Sequence, residues 1–433
     1  MGLTTVDYLA GAGENEGSFR AISTSIAGGR AVTLDERIIT QTPARNVDRL
    51  WRFWLTLPIY PYNHRRTIRT EVTPDTIWTF DQVQGILYVV VPIRMTVVKL
   101  GGGGLLVYAP VAPTGECLEL IDELVRIHGN IRYIILPTIS GLEHKVFVGP
   151  FARAFPQAQV WVTPDQWSFP VNLPLSWLGL PASRTQVLPE DSSKTPFGDE
   201  FDYAILETID LGPGQFAEVA FFHRRSRTLL VTDTIVSIPI EPPPILQAEL
   251  YPLLFHARNQ ASDPISDTPA NRIQGWQRIC LFAFYFQPNV LQIISWGETF
   301  RKSLRASDRS RQGYFGLYPF RWRADWQQGF IDLCDGSRLL VAPILQTLIL
   351  NRAPAQTISW VDRVSQWEFE QIIPCHFDAP IPATPKEFRA AFDFLKSNDQ
   401  VDANSSTTSN NLLQQIEQQL VRWRIIVPAK SKV

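Results

Sequence analysis

A layered α/β fold is predicted for this chain by three observations. Short runs rich in Val, Ile and Leu recur along it, with segments of helical periodicity between them. Strand, helix, strand, helix, strand is the rhythm of a layered domain in which each sheet buries one face against helices. Polar side chains then cluster where those runs stop: IRYIIL (131–136) leads towards Glu143-His144, TLLVTD (228–233) ends in Asp233, and EFEQIIPCH (368–376) ends in His376. Carboxylates and imidazoles at the carboxyl ends of separate strands are how such a fold assembles a site on one rim.

The elements follow in chain order. Residues 1–79 read as an N-terminal arm and extension. Gly, Ser and Thr dominate 11–45, and 46–62 (NVDRLWRFWLTLPIYPY) is apolar and aromatic. That second segment has two readings: docking onto the core, or peripheral contact with a membrane surface through Trp51, Phe53 and Trp54 beside arginines. QGILYVVVPIRMTVVKL, the GGGG turn at 101–104 and LLVYAP form a β-rich stretch broken by glycines. In 114–128, Leu118, Ile121, Leu124 and Val125 have helical spacing behind a Thr114 cap. A strand at 131–136, a helix at 144–155 and a strand at 158–164 come next. The proline- and tryptophan-rich 165–200 reads as a long ordered loop. Strands return at 202–209, 215–222 and 228–233, with HRRS (223–226) as a hairpin turn.

Residues 234–325 read as an insertion, stiff with proline at first and polar over 256–275. An apolar helix within 326–351, started or interrupted at Pro343, precedes 357–367, the strand before His376, and a helix at 384–396. The main domain thus covers 80–396. Residues 397–411 (SNDQVDANSSTTSNN) are linker. In the last helix, 412–427, Leu413, Ile416, Leu420 and Trp423 share one side that docks on the body.

Bulk properties narrow the function. With 433 residues, 45% of them hydrophobic, the chain can bury a sizeable core. A net charge of −2 argues against a general nucleic-acid binder. The four cysteines form no CxxC pair, so free thiols in a reducing compartment are expected. No apolar stretch reaches the length that spans a bilayer, and the first residues lack a secretory pattern, so a cytoplasmic location is expected. GGGG lacks the Lys-Ser/Thr of a phosphate loop. His223-Arg224-Arg225 reads as a hairpin tip. RKSLRASDRSR (301–311) reads as solvated surface, with contact to RNA or anionic lipid as the alternative. No Gly-x-Ser-x-Gly elbow is present.

The order of these elements and the residues at their ends resemble the metallo-β-lactamase fold over roughly 80–395. The resemblance implies an αββα sandwich with metals on one edge between two sheets. Its HxHxDH signature falls on ISGLEH (139–144): Ile139 and Gly141 replace the first two histidines, Glu143 stands for the aspartate, and His144 is the last histidine. GPGQ (212–215) lacks the next expected histidine, Asp233 matches the bridging carboxylate, and His376 matches the final histidine, with Cys375 where glycine is usual.

The substitutions are selective. The lost histidines would have made one metal site, whereas Glu143, His144, Asp233 and His376 would make the other. Two imidazoles and two carboxylates suit one zinc or iron ion with an open position for water. The stretches 143–179 and 343–377 further resemble a little-characterised branch found in photosynthetic organisms, in cyanobacteria and plastids. Two functions remain open at this point. One is a mono-metal hydrolase-like protein acting on an ester, thioester or lactone. The other is a scaffold that kept the fold and lost the chemistry, binding a small molecule, a protein or a membrane surface through 165–180 or 46–62.

Overall fold

A computed structural model describes residues 46–51, 59–62, 64–86, 88–139, 143–166, 174–212, 214–285, 290–334, 339–396, 408–423 and 426–432. The arm at 11–45, Phe53, Trp54, Gly141, Trp167 and most of the 397–411 linker lie outside them.

The first sheet is built from β1 (Ile59–Tyr60), β2 (Ile68–Thr73), β3 (Ile77–Ile86), β4 (Val89–Lys99), β5 (Leu105–Tyr108), β6 (Ile131–Leu136), β7 (Gln159–Val162) and β8 (Thr185–Val187). Its order is β1-β3-β4-β5-β6-β7-β8, with β2 also on β3. The β4–β5 turn uses Gly103 and Gly104 at φ 80° and 85°, where a side chain would be strained. From β5 onward the strands run parallel, and helices make the first two crossovers. These are α1 (Gly115–His128) and α2 (Lys145–Ala154). Thr114 caps α1 by accepting from the Cys117 N–H at 3.3 Å. The sheet begins earlier than residue 80, since β1, β2 and the start of β3 pair into it. The polar alternation of IRTEVT in β2 hid a half-buried edge strand.

The second sheet takes β9 (Phe201–Asp210), β10 (Gln215–His223) and β11 (Thr228–Val231) before the chain departs. The departure holds α3 (Pro244–Ala248), α4 (Tyr251–Ala257), α5 (Pro269–Tyr285), β12 (Leu291–Ile293), α6 (Trp296–Ser303), β13 (Phe320–Trp322), α7 (Trp326–Cys334), α8 (Pro343–Leu348) and α9 (Pro354–Val364). The chain then returns as β14 (Gln371–Pro374) and β15 (Ile381–Pro382), followed by α10 (Pro385–Ala390) and α11 (Thr408–Arg422). The sheet order is β15-β14-β11-β10-β9.

Three apolar layers define an αββα sandwich. Tyr108, Phe197, Phe221, Leu230 and Ile373 fill the space between the sheets. Ile121, Phe147 and Phe151 of α1 and α2 cover the outer face of the first sheet. Trp360, Val361 and Phe388 of α9 and α10 cover that of the second. Tyr108 also stitches the sheets, its hydroxyl donating to the Val219 carbonyl at 2.9 Å.

The insertion differs most from the sequence reading, for α5 is a 17-residue helix through a stretch read as partly polar. Ile279, Cys280, Leu281, Phe282, Phe284 and Tyr285 are all buried. The second half of the helix is buried on nearly every side and carries no amphipathic period, while its first turns, with Ala270 and Ile273, are exposed. Buried Arg278 of α5 closes the end of α4, donating from Nη1 to the carbonyls of His256, Ala257 and Arg258 at 3.1, 3.1 and 2.9 Å. Its guanidinium lies 4.9 and 4.6 Å from the ring centroids of Trp322 and Trp326. Arg278→Met keeps the stem but strands those carbonyls, and is expected to lower stability by about 2–4 kcal/mol in urea titration.

The end segments dock. Trp51 meets Phe147 edge-on at 5.6 Å between ring centroids. On α11, Leu413 is fully buried and Glu417 pairs with Arg352 at 3.0 Å. Trp423 is 65% exposed, so it does not share the docked side. No described helix is long and apolar enough to cross a membrane.

Candidate metal centre

Topology brings the site together. Strands β11 and β14 are parallel neighbours in which Val231 pairs with Pro374. Asp233 and His376 each lie two residues beyond that pair, so the chain leaves both strands with these side chains side by side. Glu143 arrives from the first sheet, on the loop between β6 and α2. That loop is tied to β10 where the Val219 N–H donates to the Pro137 carbonyl at 2.8 Å and Thr138 bridges Glu218.

The result is a tight trio. His376 Nε2 lies 2.9 Å from Asp233 Oδ1 and 3.4 Å from Glu143 Oε2. One ligand atom from each of the three residues falls within 4.8 Å of the others. The other ring nitrogen, Nδ1, faces the Pro92 carbonyl at 2.9 Å and must carry the proton it donates. Nε2 therefore presents either a lone pair or a second proton to the carboxylates. Burial opposes charge on this ring, but the Glu143 and Asp233 carboxylates outweigh it and hold the pKa well above the usual range. Burial likewise pushes the Glu143 carboxyl up, and the His376 charge more than reverses it, leaving Glu143 ionised more readily than usual.

His144 stands outside the trio, at the start of α2 and completely buried. Its Nδ1 donates to the Pro110 carbonyl at 3.1 Å, and no described residue partners its Nε2. Burial lowers its pKa, which keeps the ring neutral. Of the four residues read from the sequence, three meet and the fourth is a neighbour with an orphaned nitrogen.

These residues fit a cation. Both imidazoles are anchored through Nδ1 by a prolyl carbonyl, the arrangement that fixes a ligating histidine with Nε2 forward. Tetrahedral ligands at zinc distances stand about 3.3 Å apart, close to the separations at His376. With His376 protonated, two carboxylates face one positive charge. A divalent ion held by neutral imidazoles would balance them. Such an ion would polarise a carbonyl oxygen and acidify a bound water.

Two positioning residues went unread in the sequence. Glu218, fully buried on β10, accepts from the N–H groups of Thr232, Asp233 and Thr234 at 2.8, 2.9 and 3.0 Å and from the Thr234 hydroxyl at 2.8 Å. It thereby fixes the loop that carries Asp233. Burial, and then the Asp233 charge, raise its pKa. Arg94 of β4 donates to the carbonyls of Pro374 and Phe377, both at 2.9 Å, and pairs with Asp81 at 2.8 Å, clamping the His376 loop from both sides. A charged residue inside QFAEVAFF or VPIRMTVV was the available signal, since such residues are buried only when paired. Cys375 is buried and burial raises its thiol pKa strongly, which makes it an inert filler beside the site.

A pocket of about 190 Å³ lies over the trio, walled by Val236, Phe284, Ile344, Leu345 and Phe377. The insertion supplies Val236 and Phe284 to this apolar wall.

The layering and the ligand set at the sheet edge define a metallo-β-lactamase-like αββα protein with one candidate metal site. Within that class, the chain belongs to the DUF4336 family, a domain of unknown function, whose model matches residues 74–394. No curated protein matches it. Among solved structures it is similar to the DIM-1 metallo-β-lactamase exposed to ceftazidime, at 10% identity over 76% of this chain and 96% of that one, with a TM-score of 0.35. It is also similar to a metal-soaked Flv1 flavodiiron core from Synechocystis (12%, 85% and 72%, TM-score 0.39) and to a flavo-diiron protein variant from Thermotoga maritima (9%, 77% and 63%, TM-score 0.39). At those TM-scores the likenesses carry no argument about the site.

Proposed function

We propose that this protein is a mono-metal hydrolase-like protein acting on an ester, thioester or lactone. The observation that carries the reading is the convergence of His376 with Asp233 and Glu143, beside the orphaned Nε2 of His144. One zinc or iron ion would be held by Glu143, Asp233 and His376, with His144, outside that group, as the fourth residue read from the sequence. The chain's own contribution is to hold those groups still. Pro92 and Pro110 orient the imidazoles, Glu218 fixes Asp233, and Arg94 fixes His376. Phe284, Ile344 and Leu345 would offer a substrate an apolar wall beside the site. The resemblance of 143–179 and 343–377 to a branch of photosynthetic organisms supports placing the protein in cyanobacteria or plastids.

A second reading has its own observation. With Nε2 protonated, His376 satisfies both carboxylates without any ion, as in a scaffold whose chemistry is gone. Metal analysis of protein purified without chelator or affinity-tag metal separates the two. About one zinc or iron per chain, lost in His376→Ala and reduced in His144→Ala, is the expected result. Metal well below stoichiometry and unchanged by both substitutions would leave only the scaffold.

A further inference from the structure

A second, larger cavity of about 680 Å³ shares Glu143, Val89, Val91, Ala283 and Ile344 with the pocket over the trio. Its wall is almost entirely apolar, including Phe282, Leu291 and Phe320. It opens where Ile293 and Trp296 are both part of the lining and 53% and 62% exposed.

The mouth sits on an unusual surface. Along α6, Trp296, Phe300 and Leu304 follow one another four residues apart, a single helix stripe, and are 62%, 57% and 68% exposed. The turn after it, packed against Ala306 and Ser303 through Gly316, holds Phe315 at φ 57° and 64% exposed. A phenylalanine in left-handed backbone is costly; here its N–H closes the turn on the Ser310 carbonyl at 2.8 Å and its ring is presented to solvent. Around this apolar row the charge is positive. Residues 296–311 carry Arg301, Lys302, Arg305, Arg309 and Arg311 against Glu298 and Asp308. Glu298 is occupied by Lys302 and Arg321 at 2.8 and 3.3 Å. Asp308 accepts from the Ser310 N–H at 2.7 Å and from the Tyr251 hydroxyl.

We propose that the α6 face docks on an anionic lipid bilayer and that the cavity behind it takes a single hydrocarbon chain, its carbonyl end towards Glu143. An apolar stripe with tryptophan at its edge and arginines beside it is the composition of an interfacial helix, and each basic side chain near an anionic leaflet adds attraction. A hydrocarbon chain alone can occupy both the stripe and the cavity it opens into; a folded protein could cover the stripe but not fill the space behind. A second copy of this chain would bring positive charge against positive charge. The carbonyl end of the ligand rests on the hydrolase reading, whereas docking does not.

Sedimentation with phosphatidylcholine vesicles, with and without phosphatidylglycerol, tests the surface. Binding should require the anionic lipid and fall by roughly tenfold or more in Phe300→Asp and in Arg301→Glu/Arg305→Glu. Both changes are at exposed positions, and the second leaves the apolar stripe intact. A fluorescent polyene fatty acid tests the cavity: Ala283→Phe should lower its uptake while vesicle binding persists. Vesicle binding that ignores both surface variants overturns the docking, as does RNA binding or a Phe300-dependent dimer in its place. Uptake unchanged by Ala283→Phe overturns the chain site. His376→Ala should bind vesicles like the parent, so a failed metal site and a failed docking surface give different results.

Discussion

Replacing His376 by alanine in metal-stripped protein is expected to lower stability by about 3–5 kcal/mol, because it leaves two carboxylates facing each other in a mostly buried site without a counter-charge. The triple variant His376→Ala, Glu143→Gln, Asp233→Asn should recover much of that loss, since it removes the repelling charges along with the imidazole. No recovery in urea titration would mean that packing, not charge, sets the effect. The pH dependence has a definite sign. The folded pKa of His376 is raised, so its contribution is complete below the unfolded value of about 6.5 and is lost as pH rises through the folded value. Glu143 is shifted down, so its contribution is complete above about 4.3 and is lost as pH falls through its folded value. Stripped protein should therefore be most stable between these limits and weaken on the alkaline side. His376→Ala should lack the alkaline loss.

Glu218→Ala is expected to be nearly as damaging, at about 3–5 kcal/mol, since it abandons two buried backbone N–H groups, the half-buried one of Asp233 and a hydroxyl at once. Glu218→Gln distinguishes a structural from a positioning role. It keeps one acceptor oxygen and nearly the same volume, so the fold should survive. The loop bearing Asp233 loses part of its anchor, and metal affinity should drop about 10- to 100-fold, the usual consequence of removing a partner that orients a ligand. Competition against a metal-chelating dye measures the change. Unaltered affinity in a folded Glu218→Gln protein would restrict Glu218 to a structural part.

Much of this was legible in one dimension. The apolar runs of β4 to β7, the Thr114 cap and the glycine turn each state a local preference strong enough to survive folding. Asp233 and His376 were readable because a polar residue directly after an apolar strand must emerge at a sheet edge. Helix α5 was not, because its first turns are polar and exposed while its second half is enclosed, so no single apolar stripe runs along it.

The sequence by itself determined the central strands and the helices α1, α2 and α10, and which polar residues end the strands, since these depend on side-chain size, polarity and spacing within a few residues. Only the tertiary structure decided that Glu143 joins Asp233 and His376 while His144 turns to Pro110, because that follows from strand register and a loop tied across two sheets. The same holds for the roles of Glu218 and Arg94 and for the apolar cavity under the insertion. Each depends on groups remote in the chain meeting at hydrogen-bond or contact distance, which local pattern does not encode.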